Sequence, residues 1–198
     1  MFSFRSLVYV GLFMLFSTCI SAQKYEYEMF MTGKKIGTLA AEKKVKGDVV
    51  MYTINTTADA QILWKEISNQ TNSRIMFKNG VMTESYYEYI ENGVTEKYCK
   101  INQSGEGYAL HHWKKGKYTL GPLGNFCVAA IYFNEPKDGI KLLDETWGEY
   151  VTVKKTGTGI YEFKAKDGDK NVYHYANGKI TEAEFHTSIV TIKMKPKA

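Results

Sequence analysis

The chain has 198 residues, 26 basic and 21 acidic, with a net charge of +5; 44% of its residues are hydrophobic and 14% aromatic. That length suits one domain with a core that needs no staples. The lysines are interleaved with acids beside turns rather than gathered into a patch, which argues against a nucleic-acid partner.

In chain order, the first element is a leader. Arg5 gives a positive start, residues 7–16 are apolar but too short to span a bilayer, and Ser21-Ala22 is a small-residue cleavage site. Residues 1–22 are therefore expected to be a secretory signal peptide, and residues 23–198 a single β-rich domain. Thr18, standing before Cys19 where Gly or Ala is usual, argues against lipidation of that cysteine. No later stretch approaches the ~18 consecutive apolar residues of a transmembrane helix, so no span is expected.

From residue 25 onward the pattern is that of short strands. Residues 25–31 alternate Tyr25, Tyr27, Met29 and Met31 with Glu26 and Glu28, the period of a half-buried strand. Gly33 marks a turn. Strands follow at 36–45 and 49–57, with Gly37 marking a bulge or a close backbone approach. Residues 61–64 are a bend. The strand at 66–77 carries Asn69, Gln70, Thr71 and Asn72 at its centre, and so is solvated on both faces or lines a wet cavity. Asn79-Gly80 and Asn92-Gly93 are two-residue hairpin signals, because both positions of such a turn need positive φ. They frame strands at 81–90 and 95–101. A hairpin at 108–113 and 117–120 completes this run. After residue 141, strands are expected at 145–154, 160–165 and 171–176, and the stretch 179–194 forms two strands or one bent strand. Turn signals every 10–14 residues are the spacing of an up-and-down antiparallel meander. The abundant tyrosines fit strands on which the ring packs and the hydroxyl stays in water.

The exception is the stretch 123–141, LGNFCVAAIYFNEPKDGIK. Its centre, 126–133, neither alternates nor carries a charge. Asn125 is a candidate N-cap, Ala129 and Ala130 favour helix and Pro136 ends it, while a buried strand is the alternative reading. Either way a segment apolar on all sides has to be covered on all sides. The fold class expected is all-β: one large curved antiparallel sheet or open half-barrel of about ten to twelve strands, with one short helix packed in its concave face.

Motifs for chemistry are sparse. There is no G-x-S-x-G, H-E-x-x-H, phosphate-binding loop or G-x-G-x-x-G, so no catalytic residues, metal ligands or cofactor are assigned. His111 and His112 are adjacent on a strand and point to opposite faces, so they cannot share a metal without a bulge; His174 and His186 could add ligands across the sheet. Asp167-Gly168-Asp169 starts like a calcium loop, but Gly178 stands where the closing Glu would be, and a β-turn is the better reading. Glu135 and Glu145 flank the apolar segment as a candidate acid/base pair. Trp64, Trp113 and Trp147, with Phe126, Tyr132 and Glu135, are the candidate ligand-binding residues. Cys99 and Cys127 remain once the leader is removed. In an oxidising compartment such a pair forms a disulfide, and two small buried thiols are the alternative.

Ile131-Tyr132-Phe133-Asn134-Glu135-Pro136 and Glu145-Thr146-Trp147-Gly148, followed by Tyr161-Glu162-Phe163 and the run Asn171 to Gly178, resemble a domain-of-unknown-function family of secreted β-rich envelope proteins from Bacteroidetes. Gly33 and Ile36-Gly37 match its opening hairpin. The resemblance implies a periplasmic or outer-membrane-facing location, and a half-open sheet similar to that of lipoprotein-carrier proteins. It brings no activity and no catalytic residues, and Cys99 and Cys127 lie outside its pattern. The function expected is a secreted, non-catalytic envelope protein that binds an apolar or amphiphilic ligand, such as a lipid, in its concave face. A structural or partner-binding component of an envelope assembly is one alternative, and a carboxylate-dependent hydrolase is another.

Overall fold

The computed structural model describes residues 20–62, 64–122, 124 and 126–198. The leader up to residue 19, with Cys19, and the candidate cap Asn125 lie outside the described residues.

Among the described residues fifteen strands follow one another. The first eight are β1 (Ile20–Met31), β2 (Lys34–Lys46), β3 (Val49–Ile62), β4 (Lys65–Lys78), β5 (Val81–Glu91), β6 (Val94–Ser104), β7 (Gly107–His112) and β8 (Gly116–Leu120). A short 3-10 turn, Val128–Tyr132, comes next. Then follow β9 (Lys141–Asp144), β10 (Glu149–Thr152), β11 (Lys154–Gly157), β12 (Ile160–Lys164), β13 (Lys170–Ala176), β14 (Lys179–His186) and β15 (Thr191–Pro196). Thirteen of them form one antiparallel sheet in the order β11-β12-β13-β14-β15-β1-β2-β3-β4-β5-β6-β7-β8. The meander is as expected, with β15 returning to pair with β1, so that the two ends of the described chain meet mid-sheet. The stretch 179–194 is two strands, and 145–154 is a turn, β10 and the start of β11.

The hairpins follow from local chemistry. Asn79-Gly80, Asn92-Gly93 and Asn177-Gly178 all have φ between 50° and 82°, the conformation of a type I′ turn. Gly37 is a close approach: a Cβ there would lie 2.0 Å from the Thr57 carbonyl oxygen, and the β1–β2 register shifts opposite it, between Met29 and Phe30.

The sheet is strongly curved. Phe133 packs on Tyr25 of β1 and Tyr52 of β3, and its neighbour Tyr132 packs on Tyr27 of β1 and Tyr173 of β13. In a flat sheet β13 and β3 would be five steps of ~4.8 Å apart, about 24 Å. Two adjacent residues reach both only if the sheet wraps around them. The edges β8 and β11 do not pair. Exposed lysines stand on both, Lys117 on one and Lys154 and Lys155 on the other, which protects an open edge from further pairing.

The chain crosses from one edge to the other through residues 121–153, which form an insert on the concave side. The expected plug is there, with a correction. It is one 3-10 turn starting at Val128, without a side-chain cap, and not a longer helix starting at residue 125. Ala130 N–H bonds to the Cys127 carbonyl, and Phe133 and Asn134 N–H to that of Ala130. The flanking backbone is spent elsewhere, because the Phe126 carbonyl accepts Leu143 N–H and Cys127 bridges Leu143 in parallel. A continuous helix would forfeit those bonds. The insert carries a two-stranded sheet, β9–β10, and core side chains Leu142, Leu143, Val151 and Val153.

The tyrosines differ from expectation. Tyr27, Tyr108, Tyr132, Tyr161, Tyr173 and Tyr175 are buried, and several of their hydroxyls turn inward. Tyr175 donates to the Ile131 carbonyl at 2.8 Å, and Tyr108 to that of Met82 at 2.8 Å. Tyr161 donates to Glu135 Oε1 at 2.9 Å. Buried carbonyls need donors, and the phenols of Tyr175 and Tyr108 supply them.

Candidate functional site

The insert does not fill the concave face evenly. Between it and the sheet lies a cavity of about 320 Å³, within the size range of small-ligand sites. Strand order sets its polarity. Phe185 of β14, Ile192 of β15, Met29 of β1 and Leu39 of β2 form one wall in sequence across the sheet. The next strands turn the wall polar: Thr56 follows Ile54 on β3, then come Thr71 and Ser73 on β4, and Tyr87 on β5. The insert closes the space with Val128, Ala129, Tyr132, Glu145 and Thr146. The polar run of β4 noted in the sequence thus contributes Thr71 to a cavity wall, and Ser73 beyond the run joins it.

Glu145 and Asp144 stand at the end of β9, in the tight turn 144–148. Gly148 N–H closes that turn on the Asp144 carbonyl at 2.8 Å. Gly148 has φ +61°, and a Cβ on it would lie 2.6 Å from Leu110 Cδ2. Only glycine meets both demands, and the turn presses against β6–β8 as a result. Both acids are buried. Glu145 Oε1 accepts Ala129 N–H at 2.9 Å, and the Cys127 thiol and Glu145's own backbone N–H also point to the carboxyl. Desolvation nevertheless dominates, and pushes its pKa up to about 7. Asp144 accepts Thr146 N–H at 2.9 Å and is pushed up to about 6, again chiefly by desolvation. Burial raises both thiols, Cys99 to about 12 and Cys127 well above its ordinary value.

The structure separates the residues singled out from sequence. Tyr132 lines the cavity. Trp113 and Trp147 meet each other at 4.8 Å, and both stack on His112. His112 is wholly buried; its Nδ1 accepts the backbone N–H of Lys114 and Lys115, and desolvation lowers its pKa to about 4, so the ring is neutral and organises the β7–β8 turn. His111 sits on the other face and bonds Tyr98. Trp64 is 86% exposed in the β3–β4 turn and Phe126 is 54% exposed, so neither is a wall of the cavity. Glu135 is exposed and held by Tyr161, whereas Glu145 is buried under Ala129, so the two carboxylates occupy different surroundings. The disulfide is not formed: Cys99 and Cys127 are both free, buried thiols. The Cys127 thiol is turned to Glu145, while Cys99 lies under Gly148, so each sulfur faces a different neighbour. Asp167-Gly168-Asp169 is a turn, in which Ala165 N–H donates to the Asp169 carbonyl at 2.8 Å.

Sequence reasoning picked out Glu145 for acid/base work but missed its burial, and it missed Asp144 altogether. Acidic residue types read as exposed, and only closure of the insert buries them.

These features define a class: an open, barrel-like antiparallel sheet whose concave side is bridged by an insert that leaves a cavity. The chain belongs to the family described as Domain of unknown function (DUF6134), which matches residues 27–197. In fold it is similar to the crystal structure of a β-barrel-like protein of Domain of Unknown Function DUF1849 from Brucella abortus. The TM-score is 0.58, with 9% identity over 88% of this chain and 95% of that one. At that identity the likeness is one of fold alone. No curated protein matches the chain. Among the described residues no helix is long and apolar enough to cross a membrane.

Proposed function

We propose that this is a secreted, non-catalytic protein of the cell envelope that binds an apolar or amphiphilic ligand between its sheet and its insert. One observation carries the reading. The cavity of about 320 Å³ has an aliphatic and aromatic wall across β14–β2 and a hydroxyl-bearing wall across β3–β5, the polarity an amphiphile needs. The leader-like N-terminus supports secretion.

The test is native mass spectrometry with lipid extraction, on mature protein purified from its own cell envelope. A stoichiometric lipid or other amphiphile is expected, and its loss is expected when Thr71→Leu fills the cavity. A bare mass under gentle conditions would make the cavity an ordinary packing gap.

A further inference from the structure

We infer that the cavity takes a single-chain amphiphile with a cationic amine head, seated head-inward on Glu145. This rests on the ligand-binding reading above and names the class of ligand.

The polar end of the cavity fixes the orientation. Tyr87 on β5 lies beside Thr146, the neighbour of Glu145, and both line the cavity. The hydroxyl wall and the acid therefore meet at one end, and the aliphatic wall of β14, β15 and β1 lies across the sheet from them. A chain laid against Phe185, Ile192 and Met29 brings its head to Glu145.

Charge selects the head. Among the described residues no lysine, arginine or histidine lines the cavity, and Glu145 is the only carboxylate that does. The ion pairs made by other acids lie on the surface, for example Lys193 with Glu184 at 2.8 Å and Lys197 with Glu26 at 3.1 Å. A desolvated acid without a counter-cation is costly in its charged form, so it holds its proton more tightly than usual. An ammonium head supplies the missing charge. An anionic head opposes the ionisation of this acid further, and a neutral head brings no charge to compensate it. There is also room for a donor. A carboxylate offers about four acceptor sites, and the hydrogen bond it accepts from the described residues is that of Ala129 N–H.

The experiment compares dodecylammonium, dodecanoate and dodecanol, each below its micelle concentration, by titration calorimetry on the mature protein. Dodecylammonium is expected to bind at least tenfold tighter than dodecanol, with dodecanoate weakest. That order runs against the protein's overall positive charge, so non-specific attraction cannot produce it. Glu145→Gln keeps the shape of the side chain and its acceptor for Ala129. It is expected to weaken dodecylammonium at least tenfold and to leave dodecanol unchanged. Thr71→Leu narrows the cavity without touching the acid, and is expected to weaken all three. If Glu145→Gln does not fold, the ranking on the wild type and the Thr71→Leu response decide. Dodecanoate or dodecanol binding as tightly as the amine overturns the head-group assignment and leaves the ligand-binding reading standing. So does unchanged amine binding in Glu145→Gln. Amine binding indifferent to Thr71→Leu places the site elsewhere and overturns the inference. Failure of all three probes to bind overturns both readings.

Discussion

The two flanks of the concave face meet the same insert in different ways. On the β12–β13 flank the inward side chains are long and end in hydroxyls: Tyr161 reaches Glu135, Tyr175 reaches the Ile131 carbonyl, and Tyr173 meets Tyr132 edge to face at 6.2 Å between ring centroids. On the β2–β4 flank Tyr52 reaches Phe133, but the side chains that face the cavity are short: Leu39, Thr56, Thr71 and Ser73 stop before the insert, and the cavity is what remains. The backbone surface is continuous across both. Side-chain length decides where the insert is clasped and where space is left, and a phenol on one strand does structural work that a threonine three strands beyond β1 does not.

The sharpest way to test that contrast is the acid on the open flank. The native state holds the Glu145 proton more tightly than the unfolded chain, with a pKa of about 7 against an ordinary 4.5. Its contribution to stability is therefore complete below about pH 4.5 and is lost as pH rises through 7. Between those limits the loss is on the order of 3 kcal/mol. Glu145→Gln removes this dependence, so the variant should gain on the wild type by about that much between pH 4.5 and pH 8. Urea unfolding of both proteins across that range measures it. Parallel profiles would mean that the carboxyl is solvated, and the open flank would then have no buried, uncompensated acid.

A smaller effect is expected on the clasped flank. Tyr175→Phe keeps the ring and removes the donor to the Ile131 carbonyl, which lies on a residue only 3% exposed. An orphaned buried acceptor costs about 1–3 kcal/mol. The urea midpoint should fall with an unchanged slope. An unchanged midpoint would show that the phenol packs without clasping.

How much of this was legible in the sequence follows from the range of the interactions. The Asn-Gly turns are local demands of the backbone, and the residues state them outright; Gly37 was readable as a bulge or a close approach. The strand run was readable because period-2 alternation survives in any antiparallel meander. The polar centre of β4 was readable only as a strand solvated on both faces or lining a wet cavity, and of its four residues Thr71 alone lines the cavity. The destinations of the tyrosine hydroxyls were not readable. Tyr175 bonds a carbonyl 44 positions away, and nothing in its neighbourhood distinguishes it from a phenol facing water. The same holds for Glu145, whose burial depends on the insert folding back under β6–β8, and for the sulfurs, whose directions set their pairing. The apolar segment 126–133 satisfied the composition of a helix, but bonds from the neighbouring insert strand claimed its flanking backbone and left one 3-10 turn.

The smallest expected effect tests the open flank from the other side. Thr71 lines the cavity, and its hydroxyl makes no hydrogen bond among the described residues. Thr71→Val replaces that hydroxyl by a methyl of similar size and leaves the β-branched fit to the strand intact. No native bond is lost, so the stability change should stay within about 0.5 kcal/mol, well below that of Tyr175→Phe. Measured under identical urea conditions, the two substitutions compare a hydroxyl that holds the insert with one that does not. A cost for Thr71→Val equal to that for Tyr175→Phe would mean that the threonine is bonded to the insert in solution. The contrast between the flanks would then be one of degree, and the cavity would have closed. A slight gain in stability would instead mark the cavity as dry, since an unpaired hydroxyl facing an apolar space costs what a methyl there does not.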